Sequence, residues 1–190
     1  VKEALQARVD VKFIKAPTVA ELMTAGNINE FQAEATEKPT KKSEDYAHFS
    51  FGAHFVEVWV DEYLGIVKIP RILSTVPAGK ILNEKTARSQ IMGGIVWGIG
   101  QAMTEESLLD KRYGNYVTRT LADYHVPVNL DVGEIEVHFL PEEDHVINRV
   151  GVKGIGELGI TSVAAAIANA IFNATGKRLR TLPLTPDKFL

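Results

Sequence analysis

Cysteine is absent from the 190 residues. That excludes a disulfide scaffold, Cys-ligated zinc, an iron–sulfur cluster held by this chain and any thiol nucleophile. It leaves the compartment open, because a chain without thiols is indifferent to redox poise. An excess of one charge is also lacking. The 24 acidic and 21 basic side chains leave a net charge of −3, too even for a protein held to nucleic acid mainly by bulk charge. No apolar run reaches the roughly 18 residues that a membrane span requires. The longest, Ile91–Met103 and Leu158–Phe172, are interrupted by glycine and, in the second, by Thr, Ser and Asn. There is no internal repeat and no low-complexity tract. What is present is 45% hydrophobic and 24% charged, the balance of an ordinary folded chain long enough to bury one sizeable core.

Turn chemistry and periodicity divide the chain. Glu34–Asp45 is polar, charged and carries Pro39, so it reads as an exposed linker between a short N-terminal piece and the rest. Phe49–Val60 and Ile66–Leu73 are aromatic and β-branched runs joined by five residues ending in Gly65, the pattern of an antiparallel hairpin. His54 falls in the first strand, where a lone histidine is ordinarily structural. Residues 84–109 read as a helix with Ile91, Ile95, Ile99 and Met103 in register. Glycines 93, 94, 98 and 100 lie inside it, each costing about 1 kcal/mol relative to alanine. Positions 90, 94, 98 and 102 share one face and read Gln, Gly, Gly, Ala. Such a stripe admits another backbone or a ligand, with Gln90 at its head; tight packing with Gln90 as a surface amide is equally open. Lys111–Asn115 reads as a loop, and Leu121–Pro127 as an extended or turn segment. Glu134–Leu140 alternates as a half-exposed strand, and Pro141–His145 is an acidic turn. Thr161–Ala174 is an Ala-rich helix, begun by Thr161 or Ser162 and capped by Gly176, with Lys177, Arg178 and Arg180 at its negative end. The expected fold is α+β: an antiparallel or mixed sheet with two main packed helices. Residues 46–190 form the main body and 1–45 a looser segment of one domain.

Chemistry concentrates in Val150–Ile160, where four glycines, Lys153 and Glu157 occupy a loop opening towards a helix. Such a loop offers backbone N–H groups to an anion or a polarised oxygen. Gly154-x-Gly156-x-x-Gly159 formally matches the dinucleotide fingerprint, but about 20 residues on the sequence reads Lys177-Arg178-Leu179-Arg180-Thr181 instead of an acidic strand end. Glu157 is the sole carboxylate between Asp144 and Asp187. A carboxylate desolvated on a tight loop suits general acid–base work; one that merely caps the next helix is the competing reading.

Several separated segments carry a likeness to a known family: Ser50-Phe-Gly-Ala-His-Phe-Val-Glu-Val58, Asn83-Glu-Lys-Thr-Ala-Arg-Ser-Gln90, Gly93–Gly100 with Glu105, Leu121–Asn129, Gly151-Val-Lys-Gly-Ile-Gly-Glu157 and Gly176–Pro186. In this order and spacing the chain resembles the C-terminal end of the molybdenum-binding subunits of xanthine dehydrogenase and aldehyde oxidase, with bacterial aldehyde-oxidase-type large subunits as the nearest likeness. The match is firm over Tyr46–Leu190 and looser over Val1–Asp45. Glu84 stands where the family usually has proline. The resemblance implies the C-terminal portion of a molybdopterin-binding domain and a molybdopterin-type molybdenum cofactor, its cytosine dinucleotide form included. It implies Glu157 as the general base beside the metal, Lys153, Gly154, Ile155 and Gly156 lining the pocket, and Gln90 at the pterin; no residue is expected to ligate the metal. It further implies oxidation of an aldehyde or hydroxylation of an N-heterocycle with water as the oxygen source. FAD and 2Fe–2S clusters are expected on partner chains or domains, with the remainder of the large subunit as a further partner. Because the chain opens on Val1 and such subunits run to several hundred residues, a piece with exposed apolar surfaces, self-associating and inactive alone, is expected. A related non-catalytic scaffold is the alternative.

Overall fold

The computed structural model describes residues 2–3, 7–9, 15–34 and 41–188. The chain forms two units, Val1–Lys38 and Pro39–Leu190. In the first, helix α1 (Val19–Ala25) is begun by a reciprocal cap in which Thr18 Oγ1 accepts from the Glu21 amide and the Glu21 carboxylate accepts from the Thr18 amide. Its Leu22 is fully buried beside Val9. Of the expected linker, residues 35–40 lie outside the described residues; Lys41–Asp45 form a short 3-10 turn instead of an open loop.

The second unit is built on a three-stranded sheet of β1 (Ala53–Val60), β2 (Val67–Val76) and β5 (Glu134–Phe139), in the order β1-β2-β5. β1 and β2 pair antiparallel, as the hairpin pattern predicts, and β5 joins β2 in parallel, so the sheet is mixed. β1 starts at Ala53, four residues after the predicted start, because Ser50 is drawn off to the Gly154 carbonyl. Pro70 is tolerated in the central strand because the β1–β2 register slips between Glu57 and Trp59, and the irregularity takes the residue that lacks an N–H. Two short strands, β3 (Leu109–Asp110) and β4 (Asn115–Tyr116), make a separate hairpin around the predicted loop.

Helix α2 (Glu84–Met103) starts at Asn83, whose side chain accepts from the Thr86 amide. It ends six residues before the predicted limit. The Thr104 and Glu105 amides both turn back to the Gly100 carbonyl, and Tyr124 Oη donates to the Glu105 carboxylate at 2.8 Å. Gly100 makes that reversal possible, since a Cβ there would overlap the Glu105 carboxylate. Helix α3 (Val163–Thr175) begins after Ser162, which has a left-handed φ of 70° and gives no side-chain cap. It ends, as predicted, on left-handed Gly176, whose N–H donates to Phe172 O. Arg178 lies across the Phe172 ring, 3.7 Å from its centroid, and donates to Asn169 Oδ1.

The apolar stripes of both helices meet one face of the sheet. Ile91, Ile95 and Ile99 of α2, Val163, Ile167 and Ile171 of α3, and Ile72, Val76 and Val137 of the strands are all at most 2% exposed. Each such burial contributes about 1.5–3 kcal/mol. The observed class is the predicted one, α+β with a mixed sheet and two main packed helices. No helix among the described residues is long and apolar enough to cross a membrane.

Candidate functional site

The Val150–Ile160 loop connects the segment after β5 to α3 and is held from several sides. Its start is shaped by Asn148. Oδ1 accepts from the amides of Val150, Gly151 and Val152, and Nδ2 donates to Val152 O, a side chain standing in for a turn. Just after β2, Gly79 pairs with Val152, and the Lys80 amide donates to Gly151 O at 2.7 Å. Lys153 then turns its ammonium into an ion pair with Glu142 at 2.6 Å and Asp144 at 3.1 Å.

The glycine-rich part of the loop follows. Ser50 Oγ donates to Gly154 O at 2.8 Å, and Gln90 Nε2 donates to Gly156 O at 2.7 Å. In a trans peptide the N–H points opposite to the C=O. Tying these two carbonyls back therefore turns the Ile155 and Glu157 N–H groups the other way. The N–H groups of Gly154, Ile155, Gly156 and Glu157 donate to no acceptor among the described residues. A Cβ added at Gly154 or Gly156 would meet nothing within 4 Å. Further on, the loop is pressed onto α2: a Cβ at Gly159 would lie 2.5 Å from Ile91 O, and one at Gly94 would lie 2.7 Å from the Gly159 carbonyl carbon. The glycine stripe of α2 thus serves close backbone packing, with Gly98 against Val163.

Beside the loop lies an open cleft of about 480 Å³, bordered by His48, Phe49, Ser50, Lys153, Gly154 and Glu157 among others. Glu157 is exposed at this cleft. That corrects the expectation of a desolvated carboxylate: the residues of this chain do not bury it. Nor does its side chain cap α3, which starts six residues later at Val163; the Glu157 carbonyl accepts from Thr161 Oγ1. Ile155 packs against the core, and exposed Gln90 donates one N–H to Gly156 O. So the six predicted site residues gather on one loop and its support, but only Lys153, Gly154, Gly156 and Glu157 border the cleft.

The side chains that sequence reasoning missed are Ser50, Glu142, Asp144 and Asn148. Only the acidic turn signalled its two carboxylates in advance. The side-chain hydrogen bond from Lys153 holds the Glu142 carboxyl below its usual range, and Asp144 likewise. Glu142 in turn raises Lys153. Among the described residues no three His, Asp or Glu side chains converge as a metal cage, so a metal would have to arrive in a ligand of its own. The free N–H groups and the open glycines beside them suit the anionic groups of such a ligand.

The family model for the molybdopterin cofactor-binding domain matches residues 2–133. The chain belongs to the molybdopterin cofactor-binding domain family. Among curated relatives of this chain, the aldehyde oxidoreductase molybdenum-binding subunit of Escherichia coli (strain K12) is 47% identical over 148 residues, 78% of this chain and 20% of the relative. The xanthine dehydrogenase molybdenum-binding subunit of Escherichia coli O157:H7 is 41% identical, over 73% of this chain and 18% of the relative. The chain therefore spans about a fifth of the length of these relatives. The solved quinoline 2-oxidoreductase of Pseudomonas putida 86 superposes with a TM-score of 0.68 at 30% identity, covering 73% of this chain and 18% of that one. Ser50 and Gln90 fall inside the residues matched by the molybdopterin-binding family model; the Gly154–Glu157 loop falls beyond them.

Proposed function

We propose that this chain forms part of the cofactor pocket of a molybdenum hydroxylase and supplies Glu157 as its general base. The observation that carries the reading is the loop itself. Its carbonyls are tied back by Ser50 and Gln90, its N–H groups are without acceptors among the described residues, and a carboxylate stands at its end over an open cleft. The cofactor, when bound, supplies the two-electron redox chemistry. The chain's own part is to orient it and to move a proton. The amides of Gly154, Ile155, Gly156 and Glu157 would hold anionic groups, and Gln90, which fixes Gly156 through one N–H, would meet the pterin with the rest of its amide. The Glu157 carboxylate takes the proton from the water-derived oxygen as that oxygen attacks the substrate carbon. Further protein covering the cleft would exclude water from this carboxylate.

Relatives named for aldehyde oxidation, for xanthine and for nicotine 6-hydroxylation support an aldehyde or an electron-poor N-heterocycle as the substrate class. A relative named as one subunit of a dehydrogenase complex supports partner subunits; iron–sulfur and FAD carriers are proposed among them, with the remainder of a large subunit completing the pocket. The test is Glu157→Gln in the assembled, molybdenum-loaded enzyme. Turnover falls by about 10²–10⁴-fold at unchanged molybdenum content. Turnover surviving on a loaded centre would overturn the general-base role and leave the scaffold reading.

A further inference from the structure

We infer that Lys153 is a positioning residue: its ion cluster with Glu142 and Asp144 fixes the base of the Gly154–Glu157 loop, and its ammonium is not a charge offered to the cofactor. The inference deepens the proposed function and rests on it only in taking this loop as the working one. The Lys153 ammonium lies 2.6 Å from Glu142 Oε1 and 3.1 Å from Asp144 Oδ2, with the side chain 9% exposed and those of its partners 24% and 23%. Two of its three donors are thus committed to carboxylates.

The carboxylates are themselves anchored to backbone. Glu142 Oε2 accepts from the Gly79 amide at 2.6 Å, and Asp144 Oδ1 accepts from the Val146 and Ile147 amides at 3.0 and 3.2 Å. One cluster therefore joins the segment after β2, the acidic turn and the residue immediately before Gly154. To reach an anion in the cleft, Lys153 would have to leave two partly buried carboxylates facing each other without a counter-charge. Breaking a buried pair in that way is strongly unfavourable. The attraction for an anion is left to the loop's N–H groups, and the cluster sets where they point.

The experiment compares Lys153→Met, Lys153→Arg, Glu142→Gln and the Met/Gln double variant in the assembled, molybdenum-loaded enzyme. Hydrogen exchange is read at the amides that pin the loop base, Gly79, Lys80, Gly151 and Val152, together with molybdenum content, kcat and KM. Lys153→Met and Glu142→Gln each speed that exchange by at least about tenfold while β2 and α3 amides keep theirs. They lower kcat more than they raise KM, Lys153→Arg recovers most of both effects, and the double variant is no worse than the worse single one. Unchanged exchange in both single variants would overturn the inference. So would a loss of molybdenum in Lys153→Met with a silent Glu142→Gln, because the ammonium would then serve the cofactor. Glu142→Gln keeps the question answerable should Lys153→Met fail to fold. Survival of turnover in Glu157→Gln would remove the general-base proposal and leave the exchange result standing.

Discussion

At Gly94 a Cβ would lie 2.7 Å from the Gly159 carbonyl carbon, and at Gly98 it would lie 2.5 Å from Val163 Cβ; at Gly93 and Gly154 it would meet nothing within 4 Å. The same residue type thus does different things at neighbouring positions, and alanine substitutions separate them. Gly94→Ala and Gly98→Ala force α2 away from the loop and from α3 and cost about 1–3 kcal/mol, read as a drop in thermal midpoint. Gly93→Ala, exposed on the same helix, stabilises by up to about 1 kcal/mol through helix propensity. Gly154→Ala leaves stability within about 0.5 kcal/mol but places a methyl group where the cofactor is proposed to lie, so molybdenum content of the assembled enzyme falls. Full molybdenum loading in Gly154→Ala would show that this glycine faces something other than the cofactor. A glycine stripe in the sequence leaves a packing face and a ligand face equally open. The space around each glycine decides it: the α2 stripe is packed against backbone and Val163, whereas Gly154 and Gly156 open onto the cleft.

His54 of β1 and Ser74 of β2 stand opposite each other in the sheet. Their Nδ1 and Oγ are the two buried side-chain polar atoms without a hydrogen-bond partner among the described residues. Burial pushes the His54 imidazole below its usual 6.5, opposed by the carbonyl groups of Thr161 and Leu158. A depressed base stabilises the fold while it is neutral. The contribution is fully present above about 6.5, declines as the pH falls below that, where the unfolded chain already binds a proton that the folded one refuses, and is gone below the folded value. The thermal midpoint therefore declines on acidification from neutrality, and His54→Gln flattens that slope; an unchanged slope would move the effect to another group. Ser74→Ala costs less than about 0.5 kcal/mol, because it deletes an unsatisfied hydroxyl; a larger loss would mean that the hydroxyl binds a buried water. The β1–β2 hairpin, the strand β5 and the Gly176 cap were all legible in the sequence, since each depends on residues a few positions apart. The seam between sheet and loop was not. Ser50 lies 104 positions from Gly154 and Gln90 lies 66 from Gly156, and local periodicity carries no information on such pairings. The parallel union of β5 with β2 was hidden for the same reason, because α2 and the β3–β4 hairpin lie between them in the chain. The early end of α2 depended on a tertiary bond, Tyr124 to Glu105.

On the scale of the whole molecule, the surface is less finished than the core. Phe49, Phe51, Phe55 and Trp59 are each more than 60% exposed along and just before the edge strand β1, and Trp97 is 67% exposed on α2. A folded monomer scatters exposed apolar side chains, but two large aromatics on the edge strand and two just before it are a concentration of the kind that associates. A relative of which the matched residues make up only 20% has ample protein to cover such an edge, and the 190 residues expressed alone would leave it bare. That chain self-associates as its concentration rises, and sedimentation velocity reads the effect directly. Phe55→Lys and Trp59→Lys place like charges on the outer face of an edge strand, where they block strand-to-strand pairing without touching the core side of the sheet. Each shifts the association to at least about tenfold higher concentration, equivalent to about 1.4 kcal/mol, while the thermal midpoint of the monomer stays put. A chain that remains monomeric at every concentration, or variants that associate like the parent, would show that this edge is not the sticky surface. In the assembled enzyme the same two substitutions act on subunit completion instead, lowering the yield of intact complex and leaving turnover per molybdenum unchanged, because neither side chain borders the cleft at Glu157.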